Sequence, residues 1–428
     1  TAETGETGET GITPDVCEGV DRLMLDEVGN IYGEQASTYA GQVMTAGDLN
    51  CDGVDDLAIG AANWTNGSVT GKVYVVYGRE GEGLVTGDMS IADADTVIEA
   101  SMIGELLGSA VAFADGDGDG CKDLFIGAPG YNGEWGGDRS GTGAVVMLKG
   151  GADVVGGNYT SASPEVSVLL GADFETIGWH LYAAGDINVD GKEEIIMQDG
   201  DTGGEPNCNI MTGLTRIGTV TGAYSDSDVC GWSVAEGDLN GDGISDLVFS
   251  DGSYNYASGA GNGWGVLGQL GRTSINLSTD SAFTYIGGTS SSGAGNPLIG
   301  DFDGDGFDDL LMTAEMEDSE SYVVDAGAGY LLNGEVVASG ALDGKRLVYG
   351  YESSLKETGD VSAMTLGVSV VYGGVTGARV ANSMAVITDP SCTFGNEKDD
   401  EPRTVVSSWI LGTTAYDNLG AIFNVTSR

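Results

Sequence analysis

Residues 237–250 read GDLNGDGISDLVFS, and the same pattern returns four more times along the chain. It appears as GDLNCDGVDDLAIGA at 47–61, ADGDGDGCKDLFIGAP at 114–129, GDINVDGKEEIIM at 185–197 and GDFDGDGFDDLLMTA at 300–314. Aligned on the first Asp, oxygen-bearing side chains occupy positions 1, 3, 5 and 9 every time. They are Asp48, Asn50, Asp52 and Asp56; Asp115, Asp117, Asp119 and Asp123; Asp186, Asn188, Asp190 and Glu194; Asp238, Asn240, Asp242 and Asp246; Asp301, Asp303, Asp305 and Asp309. Position 6 is glycine throughout: Gly53, Gly120, Gly191, Gly243 and Gly306. Position 10 is always Leu or Ile.

This spacing matches the needs of a hard cation. Calcium takes six to eight oxygens, and alternate positions let one tight loop aim three side chains inward. Glycine at position 6 supplies a backbone conformation that other residues resist. Seventeen of the twenty ligand positions are carboxylates, a density that repels itself unless a cation is bound. Calcium at about five sites is therefore the expected cofactor. An EF-hand needs a bidentate Glu at position 12. Here that position is Ile59, Ile126, Met197, Phe249 and Met312. The residues after position 9 read instead as short buried strands, so each loop is expected to join two strands.

The first Asp residues are 67, 71, 52 and 63 residues apart, room for about four strands and their loops. Gly-led alternating strands follow at 71–78, 141–150 and 327–334, with fourth strands at 95–104 and 345–351. The expected fold class is all-β: a propeller of four-stranded antiparallel blades, with a calcium loop between the first and second strands of five blades.

With these loops, the inner-strand glycines Gly41, Gly108, Gly178 and Gly231, and IGAP at Ile126–Pro129, the chain resembles the FG-GAP repeats of integrin α-subunit propellers and their bacterial relatives over roughly residues 20–428. The resemblance implies structural metal loops on one face and ligand recognition on the other. The C-terminal part departs from the pattern. Tyr349 to Asp360 reads as a sixth inner strand without a metal loop, and further strands are expected at 367–373, 379–388, 403–411 and 419–427. The remaining length favours seven blades over six. RLMLDEV (22–28) is expected to close the ring as the outer strand of the last blade, or to pair with a neighbouring molecule in a strand-swapped assembly.

Composition narrows function. There are 66 acidic and 16 basic residues, for a formal charge of −50, a field that repels nucleic acid. No apolar run approaches the ~20 residues that cross a bilayer as a helix. Thr1 in place of Met is read as the result of leader removal, and residues 1–16 as a flexible Thr/Gly/Glu linker ahead of a single domain at 17–428. Six cysteines, none in a CxxC pair, suit disulfides of a secreted or cell-surface protein; the pairings put forward are Cys17–Cys392 and Cys208–Cys230.

The single histidine, His180, sits at a repeat position and reads as structural. No GxSxG, phosphate loop or HExxH motif is found, so the chain is read as a non-enzyme, with an acidic-site hydrolase trailing. Loops 61–71, 128–141, 199–207 and 251–265 are expected on the face opposite the metal loops. They carry Trp64, Tyr131, Trp135, Tyr254, Tyr256 and Trp264, aromatics suited to a protein or glycan ligand at the cell surface. A binding or adhesion module thus competes with a structural surface protein that self-assembles through its edges or terminal strands.

Overall fold

The computed structural model describes residues 31–67, 69–79, 89–131, 141–154, 156–173, 175–199, 208–221, 233–251, 262–286, 294–301, 307–314, 328–348, 360–362, 369–372, 383–389, 401–408 and 421–425. The described residues are almost wholly β, in six sheets. Within the sheets that run continuously in sequence, consecutive long strands pair antiparallel, as in Met44–Gly47, Asp56–Thr65, Thr70–Val76 and Thr96–Glu99 of the first sheet.

The first strands of the sheets touch in chain order. Met44–Gly47 meets Val111–Ala114, then come His180–Gly185, Ser233–Gly237, Ala294–Gly300 and Ser383–Asp389, which returns to Met44–Gly47. A closed cycle of six radiating sheets is consistent with a β-propeller. The seven-blade expectation is not met among the described residues, and the reason lies after residue 344. Lys345–Val348 and Asp360–Ser362 do not begin a new unit. They add in parallel to the outside of the fourth sheet, beyond Phe283–Ile286. Ser369–Tyr372 then completes the fifth sheet. The sixth is built from Ser383–Asp389, Glu401–Ser408 and Ala421–Val425, with Ile31–Tyr32 from the other end of the chain as its fourth strand. The segment 22–28, named for that role, lies outside the described residues, and the pairing seen is Ile31 with Ile422.

The apolar runs after each metal loop are continuous because both faces of each sheet are covered. In Asp123–Ala128, Leu124, Ile126 and Ala128 enter the core against the first sheet. Phe125 enters the core against the third, with Leu181, Ile195 and Met197. Successive side chains point to opposite faces, so one strand serves two cores. The other clusters lie between the third and fourth sheets, around Ile196, Phe249 and Trp264, and between the fourth and fifth, around Tyr285, Met312 and Tyr330.

Close approach of these layers explains two glycines. Gly108 has φ +89°, and a Cβ there would lie 2.6 Å from the Lys72 carbonyl oxygen. Gly127 would put a Cβ 2.0 Å from the Gly178 oxygen. Both replace a side chain by backbone contact between neighbouring sheets.

A second repeat is written in the crossovers. Met89–Ser90, Asn158–Thr160, Ile275–Asn276 and Lys345–Val348 each leave their own sheet and lie parallel to the outer strand of the preceding one. The third sheet has no such crossover. Its third and fourth strands join in a tight turn at Thr212–Thr215, with Gly213 at φ +54°. That omission accounts for the 52-residue interval.

Candidate metal centre

The loops fold on their own side chains. In each of the first four, the position-1 carboxylate accepts the backbone N–H groups of positions 5 and 6. Asp48 accepts from Asp52 (3.0 Å) and Gly53 (2.8 Å), and Asp238 from Asp242 (3.0 Å) and Gly243 (2.7 Å). Asp115 and Asp186 do the same. The position-5 carboxylate accepts the N–H of position 7, as Asp52 does from Val54 and Asp119 from Cys121, both at 3.0 Å. Position 3 accepts from position 5 in the first, second and fourth loops. Positions 4 and 6 both take positive φ, for example Cys51 at +60° and Gly53 at +90°. The turn therefore bends twice to bring positions 1, 3 and 5 together.

Position 9 is built differently. Asp56, Asp123, Glu194, Asp246 and Asp309 begin the second strand and are buried. One oxygen of each Asp accepts a backbone N–H from the end of the third strand: Asp56 from Gly78 at 3.0 Å, Asp123 from Gly150 at 2.9 Å, Asp246 from Gly268 at 2.7 Å and Asp309 from Gly334 at 2.9 Å. The other oxygens of Asp123, Glu194 and Asp246 are buried with no hydrogen-bond partner. Burial pushes Asp56 up to about 8, Glu194 and Asp246 to about 7 and Asp123 to about 6. A buried carboxylate with an idle oxygen is costly unless something positive faces it. In the second loop the carboxylate oxygens of Asp115, Asp117 and Asp119 converge within 4.8 Å of one another, a group that could hold a metal ion. The donors are oxygens alone, without sulfur or imidazole, which suits a hard divalent cation.

The five loops are not equivalent. In the third, Asn188 turns inward and donates its amide to Glu194 at 2.9 Å, so it is spent within the protein. In the fifth, Asp301 and Asp309 are described, while Asp303 and Asp305 lie outside the described residues.

Position 8 carries a feature that the alignment of ligand positions hides. The Glu193 side chain accepts the N–H of Asp115 in the preceding loop at 2.8 Å and pairs with Lys122 at 2.6 Å. Asp308 accepts the N–H of Asp238 in its preceding loop at 2.7 Å. Position-8 N–H groups reach back as well, Lys122 to the Asp48 carbonyl at 3.1 Å and Glu193 to that of Asp115 at 2.9 Å. A disulfide joins Cys51, position 4 of the first loop, to Cys121, position 7 of the second. The first three loops, and likewise the fourth and fifth, are thus stapled side by side into a belt. The visible signal was an acidic residue at position 8 in three of the five repeats, Asp55, Glu193 and Asp308. Cys208 is also disulfide-bonded, its partner lying outside the described residues, as do Cys17, Cys230 and Cys392.

The aromatic residues named for recognition fare unevenly. Trp64 is buried at 6% exposure, with the Lys72 ammonium 3.7 Å over its ring. Glu34 holds that ammonium at 3.2 Å and the Tyr74 hydroxyl at 2.7 Å. Trp264, also 6% exposed, faces Phe249 in the core between the third and fourth sheets. Neither is presented to a ligand, because each falls on a strand rather than at a loop tip. Tyr131 packs partly on the core between the first two sheets. Trp135, Tyr254 and Tyr256 lie outside the described residues. Exposed aromatics among the described residues include Tyr32, Tyr39 and Trp179, the last at 43% and beside His180, whose ring stacks on Tyr182.

Comparison with known proteins converges on the same loops. The FG-GAP repeat family model matches residues 40–76 and 296–332. The chain is 35% identical to integrin alpha-5 of Xenopus laevis over 121 residues, 28% of this chain and 11% of that protein. The chain carries FG-GAP repeats and is integrin-like over that stretch. Its FG-GAP region also matches phosphatidylinositol-glycan-specific phospholipase D, at 34% identity over 163 residues for the Bos taurus protein and 33% over 160 for the Homo sapiens protein. In each case the match covers 37% of this chain and 18% of the relative. The homology to integrin alpha subunits supports a ligand-binding module. The phospholipase matches overturn the reading of the chain as a non-enzyme: absent motifs do not exclude catalysis when relatives that share these repeats are phospholipases, although the match covers only the FG-GAP region. Among the described residues no helix is long and apolar enough to cross a membrane.

Proposed function

We propose that this FG-GAP protein is an extracellular, six-bladed β-propeller, scaffolded by calcium in its aspartate loops, that acts as a binding or adhesion module at the cell surface. The observation that carries the calcium reading is the set of buried position-9 carboxylates with idle oxygens beside converging position-1, -3 and -5 donors. Hard oxygen ligands, a glycine at position 6 and a strand on each side make calcium a scaffold ion here rather than a switch. The Cys51–Cys121 disulfide supports an oxidising, extracellular setting.

In this reading residues 17–428 form one domain. The ring is closed within one chain, since Ile31–Tyr32 supplies the fourth strand of the sixth sheet. That favours a binding module over strand-swapped assembly. The ligand, a protein or a glycan, is met on the face opposite the metal loops, where Trp135, Tyr254 and Tyr256 are placed by sequence and Trp179 is exposed. The stretch that matches the phospholipase relatives is 18% of their length, and the role proposed for this chain is recognition.

The test is glycan-array and cell-binding measurement of the chain in calcium and in chelator, with Trp135→Ala and Trp179→Ala variants. Calcium-dependent binding weakened by either variant is expected. Binding unaffected by both, or equal in chelator, would refute the proposal.

A further inference from the structure

We propose that Lys149 is an internal competitor for the cation of the second loop, so that this loop fills last and keeps its shape when calcium is scarce. The inference rests on the calcium reading above and adds its regulation.

Lys149 directly follows the strand Ala144–Leu148 and directly precedes Gly150, whose N–H donates to Asp123. Its ammonium contacts the Asp117 carboxylate and lies 3.0 Å from that of Asp119. These are positions 3 and 5, the oxygens an ion needs. The residues at the same place in the other loops are Tyr77, Thr212, Leu267 and Asn333, before Gly78, Gly213, Gly268 and Gly334. None is cationic.

The lysine balances charge locally at this loop. The second loop has Asp117 at position 3, as the fifth has Asp303, where the first, third and fourth have Asn50, Asn188 and Asn240, and the fifth has no lysine at the equivalent place but Asn333. One added negative charge meets one added positive one. The loop's frame is held from both sides as well, by the Cys51–Cys121 bridge to the first loop and the Lys122–Glu193 pair with the third. Its shape therefore has two supports besides a metal.

An ammonium and a calcium ion cannot use the same oxygens, and like charges a few ångströms apart repel. Lys149 is half exposed, with 51% of its side chain accessible, so its stem can swing into solvent when the ion arrives. Two surface ion pairs are then given up, which weakens calcium at this loop by roughly three- to tenfold.

The experiment is a calorimetric calcium titration of metal-stripped full chain, wild type against K149Q, K149R and D119N. Wild type should show a tight class of sites and one weaker event. D119N should delete the weaker event. K149Q should tighten it roughly three- to tenfold, and K149R, which keeps the charge, should leave it weak. Metal-stripped K149Q should also melt below stripped wild type. Calcium binding that K149Q leaves unchanged or weakens, or a D119N variant that loses a tight event instead, would overturn the role of Lys149 alone. No calcium heat in wild type would overturn the calcium reading and this inference with it.

Discussion

Removing the metal should reverse the pH dependence of stability, and the buried position-9 carboxylates set its size. Without a cation their folded-state pKa values lie above the ordinary ones: about 8 for Asp56, about 7 for Glu194 and Asp246, and about 6 for Asp123. The unfolded chain ionises these groups near pH 4, while the folded chain holds their protons. Their favourable contribution is therefore complete below about pH 4. It is lost progressively as pH rises from about 4, and the loss is complete once pH passes the folded values of about 6 to 8. For Asp56 the shift from 3.8 to about 8 corresponds to a ceiling of about 6 kcal/mol. Relaxation and water entry bring the expected loss per site nearer to about 1–3 kcal/mol. The assay is urea unfolding of metal-stripped protein at pH 5, 6.5 and 8, with a parallel series in millimolar calcium. Stripped protein should lose several kcal/mol over that range, and calcium should abolish the loss. The −50 charge acts in the same direction, so the series is repeated in high salt. At about 1 M, salt screens exposed charges beyond about 3 Å and affects the buried groups much less. Asp246→Asn separates the two further: it should flatten the stripped profile and lose part of the calcium stabilisation. A stripped protein whose stability is level or rises from pH 5 to 8 in high salt would refute the argument.

Three further outcomes follow from packing. The paired Cys51→Ala, Cys121→Ala variant closes no loop across the 70-residue separation and should lose about 2–4 kcal/mol by urea unfolding, whereas reductant should then have no further effect through that bridge. Gly108→Ala combines a positive φ with a Cβ 2.6 Å from a carbonyl oxygen, so it should cost more than about 2 kcal/mol or fail to fold, visible as a lowered melting temperature. Trp64→Ala empties a buried site under Lys72 and should destabilise by about 3–5 kcal/mol; at temperatures where it remains folded, ligand binding should be intact, since the ring is not presented.

The aspartate loops and the strands after them were legible because each rests on a short local rule. An ion-binding turn needs oxygens at fixed spacing, a glycine with positive φ and an apolar continuation, all within fifteen residues. The burial of Asp56, Asp123, Glu194 and Asp246 follows from the same rule, since position 9 is also the first residue of a strand covered on both faces. What was misread depended on contacts between units. Lys345–Val348 has the pattern of a fourth strand, yet it pairs with the sheet before its own. Its periodicity is identical in either place, and only the neighbouring sheet's free edge decides. Trp64 and Trp264 have the composition of a binding loop, but hairpin strands that run on to Thr65 and begin at Asn262 turn both rings inward.

The belt of staples shows the same limit from the other side, and it bears on what the metal does. Glu193 and Asp308 looked like surplus acid in an already acidic motif. Their role appears only when consecutive loops lie side by side, because each accepts a backbone N–H from the loop before it. Such a bond is made to position 1, the residue whose carboxylate closes its own loop and would face the proposed cation. Order in one loop therefore fixes the backbone of a proposed metal ligand in the previous one. In the proposed calcium reading, an ion held in one loop would stabilise its neighbour through these bonds as well as through charge. Scaffold cations linked in this way would order the stapled loops together, leaving the opposite loops as the part of the molecule that can vary with a ligand.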